Sequence, residues 1–263
     1  MIEIDETSGD LSSARKKQPG WLLKVLIRPA RAMAEIARED RAVWHLPLLL
    51  LTALTIMFAL IAGPLRMAAA QNALAEPPES FQWMSPEQQE QYLQAQQSMN
   101  SPVTTTLFPT IGAVIGVWVG WFVLASILHL VSTMLGSRSN STTAYNLVAW
   151  ASLTLAVRLI VQMIAMLSTK HLIDSPGISG FVASDAAGIL LYWKSMLRQV
   201  DIYWIWQFVL LWLGVSAASG VIRRKAFSVV LISMLLVLLL SGLPGFIAAQ
   251  FSGLNVTRPF IFF

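Results

Sequence analysis

The chain has 263 residues, of which 56% are hydrophobic and only 12% charged, and its formal net charge is +4. A soluble domain carries about 25% charged residues, so this composition excludes a soluble globular enzyme and a disordered chain. The sequence contains no cysteine, which excludes disulfides, thiolate metal sites and cysteine nucleophiles. We therefore predict an all-α fold, that of a polytopic membrane protein.

The N-terminal region divides into two parts. Residues 1–18 are polar and mixed in charge, which predicts a disordered cytoplasmic tail. Residues 19–41 predict an amphipathic juxtamembrane helix, because apolar side chains such as Val25 and Met33 recur at helical spacing beside a basic face. Pro29 predicts a kink or a restart of this helix. Two placements stay open: on the membrane beside anionic headgroups, or packed on the protein's own cytoplasmic face.

Five apolar stretches are long enough to cross a hydrocarbon layer of about 30 Å as helices. Within a transmembrane domain of residues 42–251, they cover residues 42–65, 103–135, 144–168, 202–222 and 226–251. The outer loops are then 66–102 and 169–201, and residues 252–263 form an outer tail. Twelve of the 18 Lys and Arg residues fall on the side of the N-terminus, which predicts a cytoplasmic N-terminus and a C-terminus outside.

Each outer loop predicts one short helix. A capping-box pattern at Ser85 and Gln88 predicts a water-exposed helix over residues 85–99. A second pattern begins at Ser184 and carries an apolar stripe at helical spacing. We expect this stripe to lie on the membrane, and its residues are Ala186, Leu190, Trp193 and Leu197.

Arg158 lies near the middle of the third predicted span, where a cation costs about 2.5–3.5 kcal/mol. No Asp or Glu occurs in any predicted span, so we expect its partners in the chain to be hydroxyls, amides or backbone carbonyls. Gln162 follows at i+4 on the same helix face. A lipid phosphate or a carboxylate of another protein is one alternative, and snorkelling along a locally thinned bilayer is another.

The sequence offers few other groups that carry chemistry. His129 lies in the second predicted span, where a hydrogen-bond partner is expected rather than a metal. Residues 177–180 match the Gly-x-Ser-Gly run of rhomboid-like intramembrane proteases, but no His follows His171 to act as the base. We predict no catalytic residue, no metal site, no cofactor and no nucleic-acid partner.

Small residues recur every four positions in the second span, at Gly112, Gly116 and Gly120. Such a stripe lets another helix approach closely, either in a second protein or copy of this chain, or within the bundle itself. Gly214 predicts the same kind of contact in the fourth span. Contacts with anionic lipids are predicted for seven basic residues on the cytoplasmic side. They are Lys24, Arg28, Arg31, Arg38, Arg223, Arg224 and Lys225.

Three segments between residues 21 and 241 resemble the bacterial branch of the Yip family, whose members have five spans after a cytoplasmic N-terminus. The segments are WLLKVLIRP at 21–29, AYNLVAWASL at 144–153, and DIYWIW at 201–206 leading through LGV at 213–215 to RRKA at 223–226. The eukaryotic branch carries Asp-Leu-Tyr-Gly-Pro before the first span. That motif is missing here, so Rab binding is not expected.

The resemblance implies a non-enzymatic protein of the bacterial inner membrane. Members of this branch are sometimes encoded near ABC-type exporters, which implies an accessory or scaffold subunit of such a membrane complex. The alternative is a transporter or lipid-binding membrane protein that uses a polar pocket around Arg158.

Overall fold

The fold is taken from a computed structural model that describes residues 19–75, 79–99, 101–173, 175–182, 189–218, 220 and 222–244. These residues form ten α-helices and no β-strand. The helices are α1 (19–27), α2 (Pro29–Ala37), α3 (His45–Ala75), α4 (Pro86–Met99), α5 (Phe108–Met134), α6 (Ser141–Ala151), α7 (Leu153–Thr169), α8 (Ile189–Leu197), α9 (Ile202–Ala218) and α10 (Arg223–Ser241). Both predicted tails and Ser184, where the second outer helix was predicted to begin, lie outside the described residues.

The predicted class, an all-helical polytopic membrane protein, is confirmed. Four segments are long and apolar enough to cross a membrane, namely His45–Ala69, Val103–Met134, Ser141–Thr169 and Arg223–Ser241. A fifth crossing results if α8 and α9, which meet at an angle of 66°, count as one span. The 17 residues of α9 alone rise about 25 Å, slightly less than the hydrocarbon layer.

Several helices end at different residues from the predicted spans. The first continues to Ala75, through the predicted loop start at 66, because an alanine-rich run prolongs it. The fourth ends at Ala218, just before Gly220, whose φ of +61° is left-handed and unsuited to a helix. The basic run 223–225 is therefore the first turn of α10 rather than a loop.

The third span is interrupted at Ser152, which separates α6 from α7. The Oγ of Ser152 donates a hydrogen bond of 2.8 Å to the carbonyl oxygen of Val148 in the preceding turn. The same Oγ accepts a hydrogen bond of 3.3 Å from the side-chain amide of Gln207 on α9. The interruption thus coincides with a polar contact between the third span and α9.

The apolar stripe of the N-terminal helices is buried within the protein. The chain breaks at Arg28 and restarts at Pro29, so the amphipathic segment is two helices, α1 and α2. The apolar stripe of Val25, Met33 and Ile36 is fully buried against α6 and α9. Trp21 packs edge-on against Trp150 of α6, with ring centroids 5.4 Å apart. The placement of this stripe on the membrane is therefore corrected. The stripe takes the alternative placement, in which it packs on the protein itself.

Candidate functional site

Arg158 of α7 forms an ion pair with Asp201, which directly precedes α9. Its Nε atom lies 2.8 Å from Oδ2 of Asp201, and the two side chains are only 17% and 14% exposed. Its Nη2 atom donates a hydrogen bond of 2.8 Å to the carbonyl oxygen of Arg198. The expectation that only uncharged groups of the chain would meet Arg158 was wrong, because Asp201 lies one residue before the fourth predicted span.

Asp201 serves two helices at once. Its Oδ1 accepts hydrogen bonds of 3.0 Å from the backbone N–H groups of Tyr203 and Trp204. This is the N-cap arrangement, which satisfies N–H groups that a helix start leaves unpaired. Since Oδ2 faces Arg158, one carboxylate fixes the start of α9 relative to α7.

Two further arginines lie beside this ion pair. Arg66, in the C-terminal part of α3, has a buried Nη1 atom without a hydrogen-bond partner in the described part of the chain. It lies within Coulombic range of Arg198, which in turn lies within range of Arg158. No described carboxylate pairs with Arg66 or Arg198. Among the described residues, Asp201 is thus the one carboxylate paired with any of these three arginines, and we call Arg66, Arg158, Arg198 and Asp201 the arginine cluster.

The turn between α8 and α9 is held in place by the short 3₁₀ helix Gly177–Phe181. The backbone N–H of Ile178 donates a hydrogen bond of 3.1 Å to the carbonyl oxygen of Val200. Gly177 has a φ of +66°, and a Cβ there would lie 2.7 Å from that same oxygen, so only glycine fits. The Oγ of Ser179 donates to the carbonyl oxygen of Pro176 at 2.7 Å, within its own turn.

The other predicted polar candidates lie apart from the cluster's hydrogen bonds. Gln162 is half-buried one turn beyond Arg158 and makes no hydrogen bond with it among the described residues. His129 is half-buried in α5, and its Nδ1 is buried without a partner within those residues. The hydrogen bond expected for His129 is therefore not found at Nδ1. The described residues contain no group of three or more His, Asp or Glu arranged to hold a metal ion.

The predicted glycines differ in what surrounds them. A Cβ on Gly214 would lie 2.6 Å from a methyl carbon of Leu147 and 3.0 Å from the Cε of Met33. Gly214 therefore allows α2 and α6 to pack closely on α9. Gly120 is exposed, and a Cβ there would meet nothing within 4 Å, while Gly112 and Gly116 are partly exposed on the same helix.

The basic residues predicted to contact lipids are exposed, and two of them also bind Glu35 of α2. The Nζ of Lys24 and the Nε of Arg31 each lie 3.3 Å from a carboxylate oxygen of Glu35. The Nε1 of Trp21 donates a hydrogen bond of 3.0 Å to the same carboxylate. The hydrogen bond from Trp21, together with the cations, holds the pKa of Glu35 below its usual value of 4.5.

Asn146 of α6 is a buried polar residue that was not among the candidates predicted from the sequence. Its Oδ1 accepts a hydrogen bond of 2.9 Å from the N–H of Val43, and its Nδ2 donates at 2.7 Å to the carbonyl oxygen of Arg41. It is completely buried, and it ties the α2–α3 connection to α6. The sequence did contain a signal for Asn146, namely a single amide side chain in a largely apolar helix. Such an amide requires hydrogen-bond partners if it is buried.

The resemblance noted in the sequence rests on residues that meet in the fold. Trp21 contacts Trp150, Asn146 holds the α2–α3 connection, and Asp201 pairs with Arg158. Each of the three similar segments thus supplies at least one residue that joins helices far apart in the chain.

Comparison with known proteins agrees with this picture. The model of the Yip1 domain matches residues 23–243. The chain is similar to "Membrane protein YknW" of Bacillus subtilis (strain 168), with 27% identity over 244 residues, which are 90% of this chain and 96% of that protein. No solved structure matches the chain. Since the domain match spans most of the chain, this protein belongs to the Yip1-domain family of membrane proteins.

Proposed function

We propose that this protein is a non-enzymatic accessory or scaffold subunit of a membrane complex in the bacterial inner membrane, such as an ABC-type exporter. The observation that carries the proposal is the open space at Gly120 of α5, where a Cβ would meet no described atom within 4 Å. In lipid, helices associate through close packing rather than through the hydrophobic effect, so a helix face without side chains is most useful as a contact surface.

The contrast with Gly214 supports an external partner for α5. Gly214 is filled by Leu147 and Met33 of the same chain, whereas Gly120 has open space around it. Ile115, Val119 and Phe122 of α5 are also exposed, so the described residues leave a wide apolar surface of this helix uncovered. A partner helix seated there would gain dispersion contacts that lipid chains fill less completely.

The buried polar side chains support a structural rather than a catalytic role. Asn146 ties a connection to α6, Asp201 caps α9 while it pairs with Arg158, and Gln207 bonds Ser152. Each of these groups is occupied in joining helices. The proposed topology keeps the N-terminus cytoplasmic and the C-terminus outside, because most Lys and Arg residues precede the first span, lie between α5 and α6, or form the first turn of α10 on that side.

A purification of the tagged full chain from its host in mild detergent tests the accessory role. We expect a defined set of membrane proteins to accompany the wild type, as quantified by mass spectrometry. Gly120→Leu should reduce this set several-fold, because the new side chain fills the contact surface. Ala53→Leu enlarges an exposed position on α3 and is the matched control, which should retain the set. A chain recovered only with itself, or equal recovery with Gly120→Leu, would contradict the proposal.

The second candidate is a transporter or a lipid-binding protein that uses the region around Arg158. It is favoured by the arginine cluster, in which three arginines lie near one described carboxylate. Arg158→Leu separates the two functions. Binding of a lipid or solute that persists unchanged in this variant would remove the second candidate, whereas the accessory role does not require Arg158.

A further inference from the structure

The arginine cluster carries more positive charge than the described chain neutralises. Asp201 pairs with Arg158, which leaves Arg66 and Arg198 without a described carboxylate. The buried Nη1 of Arg66 has no hydrogen-bond partner among the described residues. A buried cationic donor left in this state is costly, and the cost persists unless something else supplies oxygen atoms.

The cluster lies at the opposite end of the bundle from α2. Along α3, Arg66 is about 32 Å from His45, where the first span begins. Along α9, Asp201 is about 20 Å from Gly214, which packs against Met33 of α2. A hydrocarbon layer is about 30 Å thick, so Arg66 reaches the level of the far lipid headgroups, and Asp201, at the start of α9, lies toward the same boundary.

The three arginines differ in burial. The side chain of Arg158 is 17% exposed, and Arg66 and Arg198 are both half-buried. The carboxylate of Asp201 and the carbonyl of Arg198 hold the Arg158 guanidinium in a fixed position. Donors that are held in place before a ligand arrives lose less entropy when it binds.

We propose that Arg66, Arg158 and Arg198 together bind one phosphate group at this boundary of the membrane. Guanidinium groups are planar forks whose paired N–H groups match phosphate oxygens, and they lose less hydration than an ammonium group does. The ligand would be a phosphate of an anionic phospholipid or free phosphate. A dianionic phosphate would offset the charges of both Arg66 and Arg198, for which the described residues supply no carboxylate, and a monoanionic phosphodiester would offset one of them. This proposal rests on the second function proposed above, that of a transporter or lipid-binding protein, and it specifies phosphate as the group that is bound.

Thermal unfolding of the purified full chain in neutral maltoside detergent tests the site, because a ligand that binds only the folded state raises the melting temperature. One arm adds phosphatidylglycerol, with diacylglycerol of the same acyl chains as the phosphate-free control. The other arm adds sodium phosphate, with sodium chloride at equal ionic strength as its control. The variants are Arg66→Met and Arg198→Gln, and Lys170→Gln is the matched control because Lys170 is an exposed cation that follows α7.

We expect phosphatidylglycerol to raise the melting temperature of the wild type and of Lys170→Gln. Each cluster variant should weaken the apparent affinity about tenfold or more, as expected for one lost charge-assisted hydrogen-bond pair. Without added phosphate, Arg66→Met should melt at the wild-type temperature or above it, because it removes a cation for which the described residues supply no carboxylate. A side chain with a purely structural role would instead lower the melting temperature when replaced.

The remaining outcomes identify the source of the phosphate or overturn the site. A cluster-dependent shift with sodium phosphate but not with the lipid supports the site and assigns it to free phosphate. A lipid shift that survives in both cluster variants overturns the site but leaves the lipid-binding function standing. No shift of the wild type with either probe overturns the site and the lipid-binding function together.

Discussion

The ion pair between Arg158 and Asp201 provides a sharp test of the fold, because its two members can be replaced separately. Asp201→Asn removes the negative charge but keeps an oxygen that can accept hydrogen bonds from Tyr203 and Trp204. The variant therefore isolates the ion pair from the helix cap. Arg158→Leu removes the cation and leaves Asp201 with its two backbone donors.

The structure sets the expected magnitudes. An exposed ion pair contributes about 0–1 kcal/mol, and breaking a buried one costs about 3–5 kcal/mol. With side chains 17% and 14% exposed, this pair lies nearer the buried limit, so we expect Asp201→Asn to lower the free energy of unfolding by about 2–4 kcal/mol. Arg158→Leu should cost about 1–2 kcal/mol, since leucine suits the membrane better than arginine does.

The double variant gives the decisive measurement. Replacing a buried ion pair by neutral or apolar groups is often nearly neutral, so the combined variant should lie within about 1 kcal/mol of the wild type. Unfolding by sodium dodecyl sulfate in mixed micelles, followed by fluorescence of the ten tryptophans, measures all four proteins. Arg138→Leu, at an exposed cation between α5 and α6, is the control and should change little. If the costs of the single variants simply add, the two side chains do not interact and the reasoning is refuted.

Three further predictions concern other parts of the molecule. Asn146→Leu should lower the free energy of unfolding by about 2–4 kcal/mol in the same assay, since it leaves the buried N–H of Val43 unpaired; a change below about 0.5 kcal/mol would contradict this. Because the pKa of Glu35 is lowered in the folded state, its stabilisation is present above pH 4.5 and is lost as the pH falls through the lowered value. Acid should therefore release Trp21 from Glu35 in the wild type, which is seen as a change in tryptophan fluorescence. Glu35→Gln should not show this transition. Identical acid profiles of the two proteins would show that Glu35 does not control Trp21. In intact cells, a tag after Phe263 should be accessible from outside and a tag before Met1 should not; a C-terminal tag labelled only from the cytosol would rule out the odd number of crossings.

Much of the architecture follows from local sequence. Long apolar runs predict membrane helices wherever they occur, because a backbone in lipid must satisfy its own hydrogen bonds. The break before Pro29 also follows from local chemistry, since proline lacks the N–H group that a continuous helix needs. The capping pair of Ser85 and Gln88 closes reciprocally, with hydrogen bonds of 3.0 and 3.3 Å.

The candidate site could be predicted only in part. The cost of a cation in lipid drew attention to Arg158, but its partner was not found, because Asp201 lies outside the apolar run and far along the chain. Arg66 and Arg198 looked like ordinary loop residues, since the predicted first span ended before Arg66. Periodicity predicted a buried or membrane-facing stripe for the N-terminal helices and did not distinguish the two.

The sequence by itself determined the class of the protein, the approximate positions of its apolar helices and the face of each amphipathic segment, because these depend on residues within a few turns of one another. Only the tertiary structure decided which helices are neighbours. It placed α2 on α6 and α9, set α8 at an angle of 66° to α9, and brought three arginines near the carboxylate of Asp201. Packing and charge pairing between helices depend on distances across the bundle, and no spacing along the chain encodes those distances directly.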